Sequence, residues 1–312
     1  MNDLIFSAHI VLPLFFLIIV GATTQKIGII DSNFIAKGNA LSFKVLLPTL
    51  LFLNIYNSKD SGYFEIHFAC FLLVSVLVIF FASWGILRLF YKDNKKLSVL
   101  IQCSFRSNTV LLGIYIMANL YGEIGNQKIA PYLGVVVVLF NILATFILEF
   151  YSGKKSSKKA MLFVIAKNPL IIASLIGFVV NLTGIRFGYI IEKTLSNIAS
   201  ISTIFAMICL GGNLKIETLK HDKWNLLIGS VIRLIIVPAI VCFVAYVFGF
   251  REERMAIVLI IFATPVAVSS YIMAQQQGAD ADLAGGLVAS TTLLSILSLF
   301  LFIYIFKTLG IF

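Results

Sequence analysis

The sequence predicts an all-α membrane protein of ten transmembrane helices, arranged as two inverted five-helix repeats in which helices four and nine are interrupted and cross. Three observations carry this: an extreme apolar composition, a long-range internal repeat, and polar clusters midway along two otherwise hydrophobic segments. Of 312 residues, 60% are hydrophobic and only 12% charged, with a mean hydropathy of +1.02. No soluble fold of this size could bury so much apolar surface. A bilayer core requires about 20 apolar residues per helix. Runs of this kind occur near 4–21, 34–56, 66–90, 98–121, 129–150, 161–182, 190–211, 224–249, 255–277 and 284–307. The remainder is short connecting sequence, which leaves no separate domain to host chemistry.

The first run follows Met1-Asn2-Asp3, which has no basic residue, so it reads as a retained span and not a signal peptide. Cys70, Cys103, Cys209 and Cys242 fall inside apolar runs without metal-ligand spacing and read as small packing residues. The net charge of +10 would suggest nucleic acid in a soluble protein. Here its distribution over the connections is the informative quantity. Lys and Arg fall about two to one on the side that includes Arg88, Lys92, Lys154, Lys155 and Lys220. That side is therefore cytoplasmic, both termini are outside, and the chain is placed in the cell membrane. The basic clusters need no partner beyond membrane lipid headgroups.

The stretch Arg106 to Gly122, RSNTVLLGIYIMANLYG, returns as Phe262 to Gly278, FATPVAVSSYIMAQQQG. Tyr-Ile-Met-Ala is shared at Tyr115–Ala118 and Tyr271–Ala274. The same offset relates Pro13, Gly21, Gly28 and Lys37 to Pro169, Gly177, Gly184 and Lys193. Residues 1–151 and 161–312 thus read as homologous halves joined by a basic cytoplasmic linker at 152–160. Five spans per half is an odd number, so the second half enters the membrane inverted. Interrupted spans in corresponding positions of such halves point to a transporter's binding site.

Along the chain, Pro13 and Pro48 read as kinks and the segment around Trp84 as lipid-facing or packing. Segment four brings Gln102, Ser104, Arg106, Ser107, Asn108 and Thr109 to mid-membrane depth, where polar groups are costly and face a cavity or the bundle interior. Arg106 has no acid near it in sequence. Its partner is an anionic ligand, carbonyls or water; snorkelling or a structural pairing is the competing account. Asn141 is the one amide of segment five, and Glu149 reads as a solvated residue at its edge. Gly211, Gly212 and Asn213 read as a C-terminal cap. Lys44 and Arg233 are intramembrane cations without an assigned role. Segment nine repeats the design of four, with Thr264 and Pro265 at the offset positions of Asn108 and Thr109. Pro265 must break or bend the helix. Gly113, like Ser107 and Pro265, is a candidate hinge. Ser290, Thr291, Thr292, Ser295 and Ser298 in segment ten read as interhelical hydrogen-bonding groups.

Half-helix N-termini near the midplane carry free N–H groups and partial positive charge. Such a place suits an anion, with Arg106 adding charge and Asn108 and Thr264 orienting the ligand. The motifs LLPTLLF at Leu46–Phe52, SNTVLLGI at Ser107–Ile114 and ATPVAV at Ala263–Val268, with the Ser/Thr-rich last span, resemble the auxin efflux carrier family over the whole chain. The resemblance implies crossing helices four and nine, a scaffold from the first two spans of each half, and an elevator movement of the remaining spans. The expected substrate contacts, from the residues and the resemblance together, are Asn108, Thr109, Arg106, Asn141, Thr264 and Pro265. Asn108 resembles the crossover Asn of plant carriers, Pro265 the crossover Pro, and Asn141 stands where those carriers have a pocket Tyr. Ser107 and Tyr115 replace prolines usual in the family. The implied cargo is a small organic anion, a carboxylate, and the implied assembly includes a homodimer.

No Asp lies inside any expected span, which disfavours cation-proton exchange. A coupling ion, a proton at His9 or sodium held by carbonyls and hydroxyls as in bile-acid symporters, stands open beside uncoupled export. An enzyme would need a nucleophile, metal set or acid-base pair at membrane depth, and the chain's three histidines are scattered. No cofactor is expected. A ligand sensor built on a carrier scaffold is the remaining alternative.

Overall fold

The computed structural model describes residues 2–57, 65–152, 166–214 and 222–312. The linker expected at 152–160, apart from Ser152, lies outside the described residues, as do Lys220 and the side chain of His9. Among the described residues the chain is helical throughout, with one isolated β-bridge. The helices are α1 (Asn2–Lys26), α2 (Ser32–Tyr56), α3 (Ile66–Phe90), α4 (Asn94–Phe105), α5 (Thr109–Phe150), α6 (Pro169–Thr183), α7 (Tyr189–Asn213), α8 (Lys223–Val247), α9 (Glu252–Ala263), α10 (Val268–Gln277) and α11 (Ala281–Thr308).

Six of these are long and apolar enough to cross a bilayer: α2, α3, the Lys128–Phe150 part of α5, α7, α8 and α11. The other four expected spans take different forms. Two are α1 and the shorter α6. The runs at 98–121 and 255–277 are each divided into two half-helices, α4 with the start of α5, and α9 with α10. Gly122 then kinks α5 at φ 66°, a conformation open to glycine.

Local chemistry sets the ends. Asp31, Asp93, Asn168 and Asp280 accept backbone N–H bonds at the starts of α2, α4, α6 and α11. Each satisfies a donor that the helix itself cannot. The bends expected at prolines take a definite form at Pro48. A π-helical turn, Ser42–Leu46, precedes it, and a second, Ile232–Ile236, precedes Pro238. The wider turn absorbs the missing N–H and the clash with the carbonyl four residues back.

One group of helices packs α1 on α7 and α2 on both α6 and α7. A second packs α4 and α5 on α3, α9 on α5 and α8, and α11 on α10 and α8, and α1 joins the two groups by packing on α11 as well. Large side chains such as Leu89, Phe90, Ile190 and Phe248 face outward, as lipid requires. The closest contact within the first group is reciprocal. A Cβ at Gly21 would sit 2.0 Å from the Ile208 carbonyl oxygen, and one at Gly211 would sit 2.0 Å from that of Ile18. Small residues allow such backbone approach between membrane helices. Gly211 is therefore a packing residue inside α7, and the cap expected at Gly211–Asn213 moves to Leu214.

Gly211→Val should lower stability by about 3 kcal/mol by overpacking, read as a fall in Tm in detergent. Gly85→Ala, with nothing within 4 Å of its added Cβ, should be neutral or stabilising by up to about 1 kcal/mol.

Candidate functional site

Two interrupted segments meet in the middle of the molecule. Helix α4 stops at Phe105 and α9 at Ala263, and the chain runs extended through Arg106 (φ −84°, ψ 119°), Thr264 (φ −68°, ψ 150°) and Ala267 (φ −66°, ψ 138°) before α5 and α10 begin. Ser107 pairs antiparallel with Val266, and the Asn108 N–H donates to the Pro265 carbonyl at 2.8 Å. Segment four therefore breaks without a proline. Its freed N–H finds a partner on the other segment, which a membrane interior demands. Two side chains complete the bridge. Ser107 Oγ donates to the Ile261 carbonyl at 2.7 Å, and Thr291 Oγ1 on α11 accepts from the Val266 N–H at 3.1 Å. By place in the break, Arg106 corresponds to Thr264 and Asn108 to Ala267. The 156-residue offset, which pairs Asn108 with Thr264, therefore does not hold at the breaks.

The freed carbonyls are met by one residue that sequence left without a role. Arg233, inside the π turn of α8 and fully buried, donates from Nε to Thr264 O (2.9 Å) and from Nη2 to Ile261 O (3.1 Å). Its Nη1 donates to Ser104 O (3.2 Å) and Phe105 O (3.3 Å). One guanidinium thus closes the C-terminal ends of α4 and α9 together, where helix dipoles favour a cation. Lys44, the other unassigned intramembrane cation, is exposed.

On the opposite side of the bridge lies a cavity of about 60 Å³. Its wall combines Arg106, Ser107 and Asn108 with Ala267, Val268 and Ser269 at the start of α10, and Val137, Phe140 and Asn141 from α5. Leu47, Leu50, Leu51 and Asn54 of α2 and Thr203 of α7 close it. Arg106 Nη2 donates to Asn141 Oδ1 at 2.7 Å and Ser269 Oγ at 2.8 Å, while its Nη1 has no partner. Asn141 in turn donates from Nδ2 to Ser174 Oγ of α6 at 3.4 Å. Asn108 Nδ2 and Asn54 Nδ2 are also buried without partners. Among the described residues Arg106 has no carboxylate within ion-pair distance.

Of the residues expected at the site, Arg106, Ser107, Asn108 and Asn141 converge on the cavity. The others stand apart from its wall. Thr264 Oγ1 donates back to the Ile260 carbonyl at 2.9 Å, and Pro265 contributes its carbonyl to the bridge. Thr109 is buried with Oγ1 unpartnered. Gly113 is helical, and its missing side chain lets Ile260 of α9 approach, since a Cβ there would lie 2.7 Å from Ile260 Cγ2. Asn54 and Thr203 were not anticipated, and Ser269 stands out in sequence only as part of the polar pattern of segment nine. Ser269 lies within the repeated stretch, and Asn54 is a lone amide in an apolar run, so both left a trace in the sequence. Glu149, expected to be solvated, is buried. Among the described residues no cluster of His, Cys, Asp and Glu could hold a metal.

A multi-pass, all-helical membrane protein with a buried polar cavity beside two crossing broken helices has the build of a carrier. Over residues 6–303 the sequence matches the membrane transport protein family. The chain belongs to that family, the auxin efflux carrier family, whose members are non-enzymatic transporters of small molecules. It is 24% identical over 298 residues to an uncharacterized transporter of Methanothermobacter thermautotrophicus, covering 94% of this chain and 96% of that one. An uncharacterized transporter of Methanocaldococcus jannaschii is 24% identical over 301 residues, covering 92% and 95%. The uncharacterized transporter YfdV of Escherichia coli K12 is 22% identical over 245 residues, covering 76% and 78%.

Thr291→Val keeps the shape of the side chain and removes the acceptor of the Val266 N–H. Stranding that buried donor should cost about 1–3 kcal/mol, read as a lower Tm. An unchanged Tm would show that the bridge does not need α11.

Proposed function

We propose that the chain carries a small organic anion, a carboxylate, by an elevator-type alternating-access mechanism. The observation that carries this is the sign of the cavity's unmet hydrogen-bonding capacity. The fully buried side-chain atoms of its wall that have no partner are Arg106 Nη1, Asn108 Nδ2 and Asn54 Nδ2, all donors. Arg106 also brings a charge that Asn141 and Ser269, both neutral, do not offset. The N-termini of α5 and α10 border the same space and add partial positive charge. A ligand rich in acceptors and negatively charged meets every one of these demands, and a carboxylate matches the fork of a guanidinium.

In this proposal residues 1–151 and 161–312 are inverted repeats joined at 152–160, with both termini outside. Positive φ at Gly28 and Gly184, and again at Gly122 and Gly278, recurs at the sequence offset. Ser202 Oγ also donates to Leu46 O at 2.8 Å, a contact between residues 156 apart. Residues touch their own counterparts on a twofold axis. The group α1, α2, α6 and α7 serves as the scaffold, and the broken helices move against it with their cargo.

A cavity of about 60 Å³ has room for about two waters, whereas drug-sized ligands occupy pockets of about 300–1,000 Å³. Loading therefore needs α2 and α7 to separate from the crossing. The seam suits such movement, since its walls are mainly apolar. Its polar ties include bonds from Asn39 Nδ2 to Tyr271 Oη (3.0 Å) and Gln275 Oε1 (2.7 Å).

A thermal-shift screen of mono- and dicarboxylates should find a stabilising ligand, because binding at a hundredfold excess over Kd contributes about 2.7 kcal/mol. The same compound should then exchange in counterflow by the protein in liposomes; binding without exchange would make the protein a sensor. Arg106→Gln should weaken that ligand about tenfold or more, the loss of a charge-assisted hydrogen bond of about 1.5–3 kcal/mol. Asn108→Ala should abolish exchange while leaving the Tm of the unliganded protein within a few degrees, since its amide nitrogen has no partner to lose. Unaltered exchange kinetics in either variant would remove that residue from the site.

A further inference from the structure

Four backbone carbonyls, of Ser104, Phe105, Ile261 and Thr264, converge where α4 and α9 end. Oxygen clusters made from unwound backbone and half-helix C-termini are where membrane carriers hold small cations. In this chain the cluster already has a cation. Arg233 comes from α8, an element outside both crossing segments, and reaches all four oxygens at 2.9–3.3 Å with no exposure to solvent. A planar guanidinium spreads its donors over several acceptors, so it can span carbonyls from two segments where a point charge would draw them to one centre.

We infer that Arg233 is a tethered cation standing in place of a bound sodium ion at the crossing, and that the carrier moves its substrate without sodium bound there. Arg233 is a positioning residue. It fixes the ends of α4 and α9, hence the placement of Arg106 and Asn108, from the side of the bridge away from the cavity. The two arginines divide the work. Arg233 has partners for all three of its nitrogens, whereas Arg106, in the cavity wall, has none for Nη1. No substrate needs to be known for the inference to be tested.

The test compares the Tm of the purified protein in choline chloride, sodium chloride and low millimolar guanidinium chloride at equal ionic strength. The wild type should give the same Tm in sodium and choline. A saturable rise with sodium would overturn the inference, whatever the behaviour of variants. Arg233→Ala strands the carbonyls and should lower Tm by about 5 °C or more. Guanidinium, which re-enters the cluster, should restore part of that loss, and choline should restore none. A fall in Tm that neither guanidinium nor sodium relieves would leave Arg233 as packing alone and overturn the cation role. Where Arg233→Ala does not accumulate, Arg233→Lys carries the comparison. It keeps one compact charge and should hold a Tm closer to wild type, still insensitive to sodium.

Discussion

The membrane interior supplies no water to hydrogen-bond a broken helix, and the centre of this structure follows from that constraint. Interrupting α4–α5 and α9–α10 exposes N–H groups on one side and carbonyls on the other. Each set is met separately. The N–H groups of Asn108 and Val266 go to Pro265 and to Thr291, and the carbonyls of Ser104, Phe105, Ile261 and Thr264 go to Arg233. Because each break lends partners to the other, neither segment can straighten alone. Only one of the two carries a proline, and the bridge ties Ser107 of the other to Val266, the residue after that proline.

Two buried arginines therefore sit on opposite sides of one bridge with different prospects. The guanidinium of Arg233 is enclosed by backbone oxygen and has no route to a ligand. The Arg106 guanidinium meets a side-chain amide oxygen and a hydroxyl, both neutral, and turns one nitrogen to a cavity. In sequence each is a cation at membrane depth with no acid near it, Arg106 within a polar cluster and Arg233 within an apolar run. Their difference lies in which secondary structure surrounds them: Arg106 caps a half-helix and belongs to the break, whereas Arg233 arrives from a π turn in a neighbouring helix.

The positions of the membrane segments and of the two breaks were legible because both have one-dimensional signatures, long apolar runs and polar clusters within them. Arg106, Ser107 and Asn108, which line the cavity, stand out for the same reason, as parts of one polar cluster, whereas Asn141 is the one amide of its segment. Long-range contacts were not legible. Nothing local to Arg233 marks it as the partner of carbonyls more than a hundred residues away, and nothing local to Gly211 distinguishes a cap from a close approach to Ile18. The 156-residue offset pairs Asn108 with Thr264, whereas the antiparallel bridge of Ser107 with Val266 sets Pro265 opposite Asn108. Glu149 was misplaced because distance along the chain from a basic linker does not report how neighbouring helices cover it.

On the proposed function, the imbalance at Arg106 also bears on movement. A guanidinium held by neutral partners beside an apolar seam carries an uncompensated charge, and burying such a charge is costly unless it is paired. Sliding the broken helices past α2 and α7 would drag that charge past the apolar side chains of Leu47, Leu50 and Leu51. A bound carboxylate cancels the charge and fills the free donors, so the loaded form crosses the seam more easily than the empty one. Binding and movement are then coupled by electrostatics at one residue. The fixed charge of Arg233 adds no such bias, because its surrounding carbonyls lie on the crossing helices themselves and move with them.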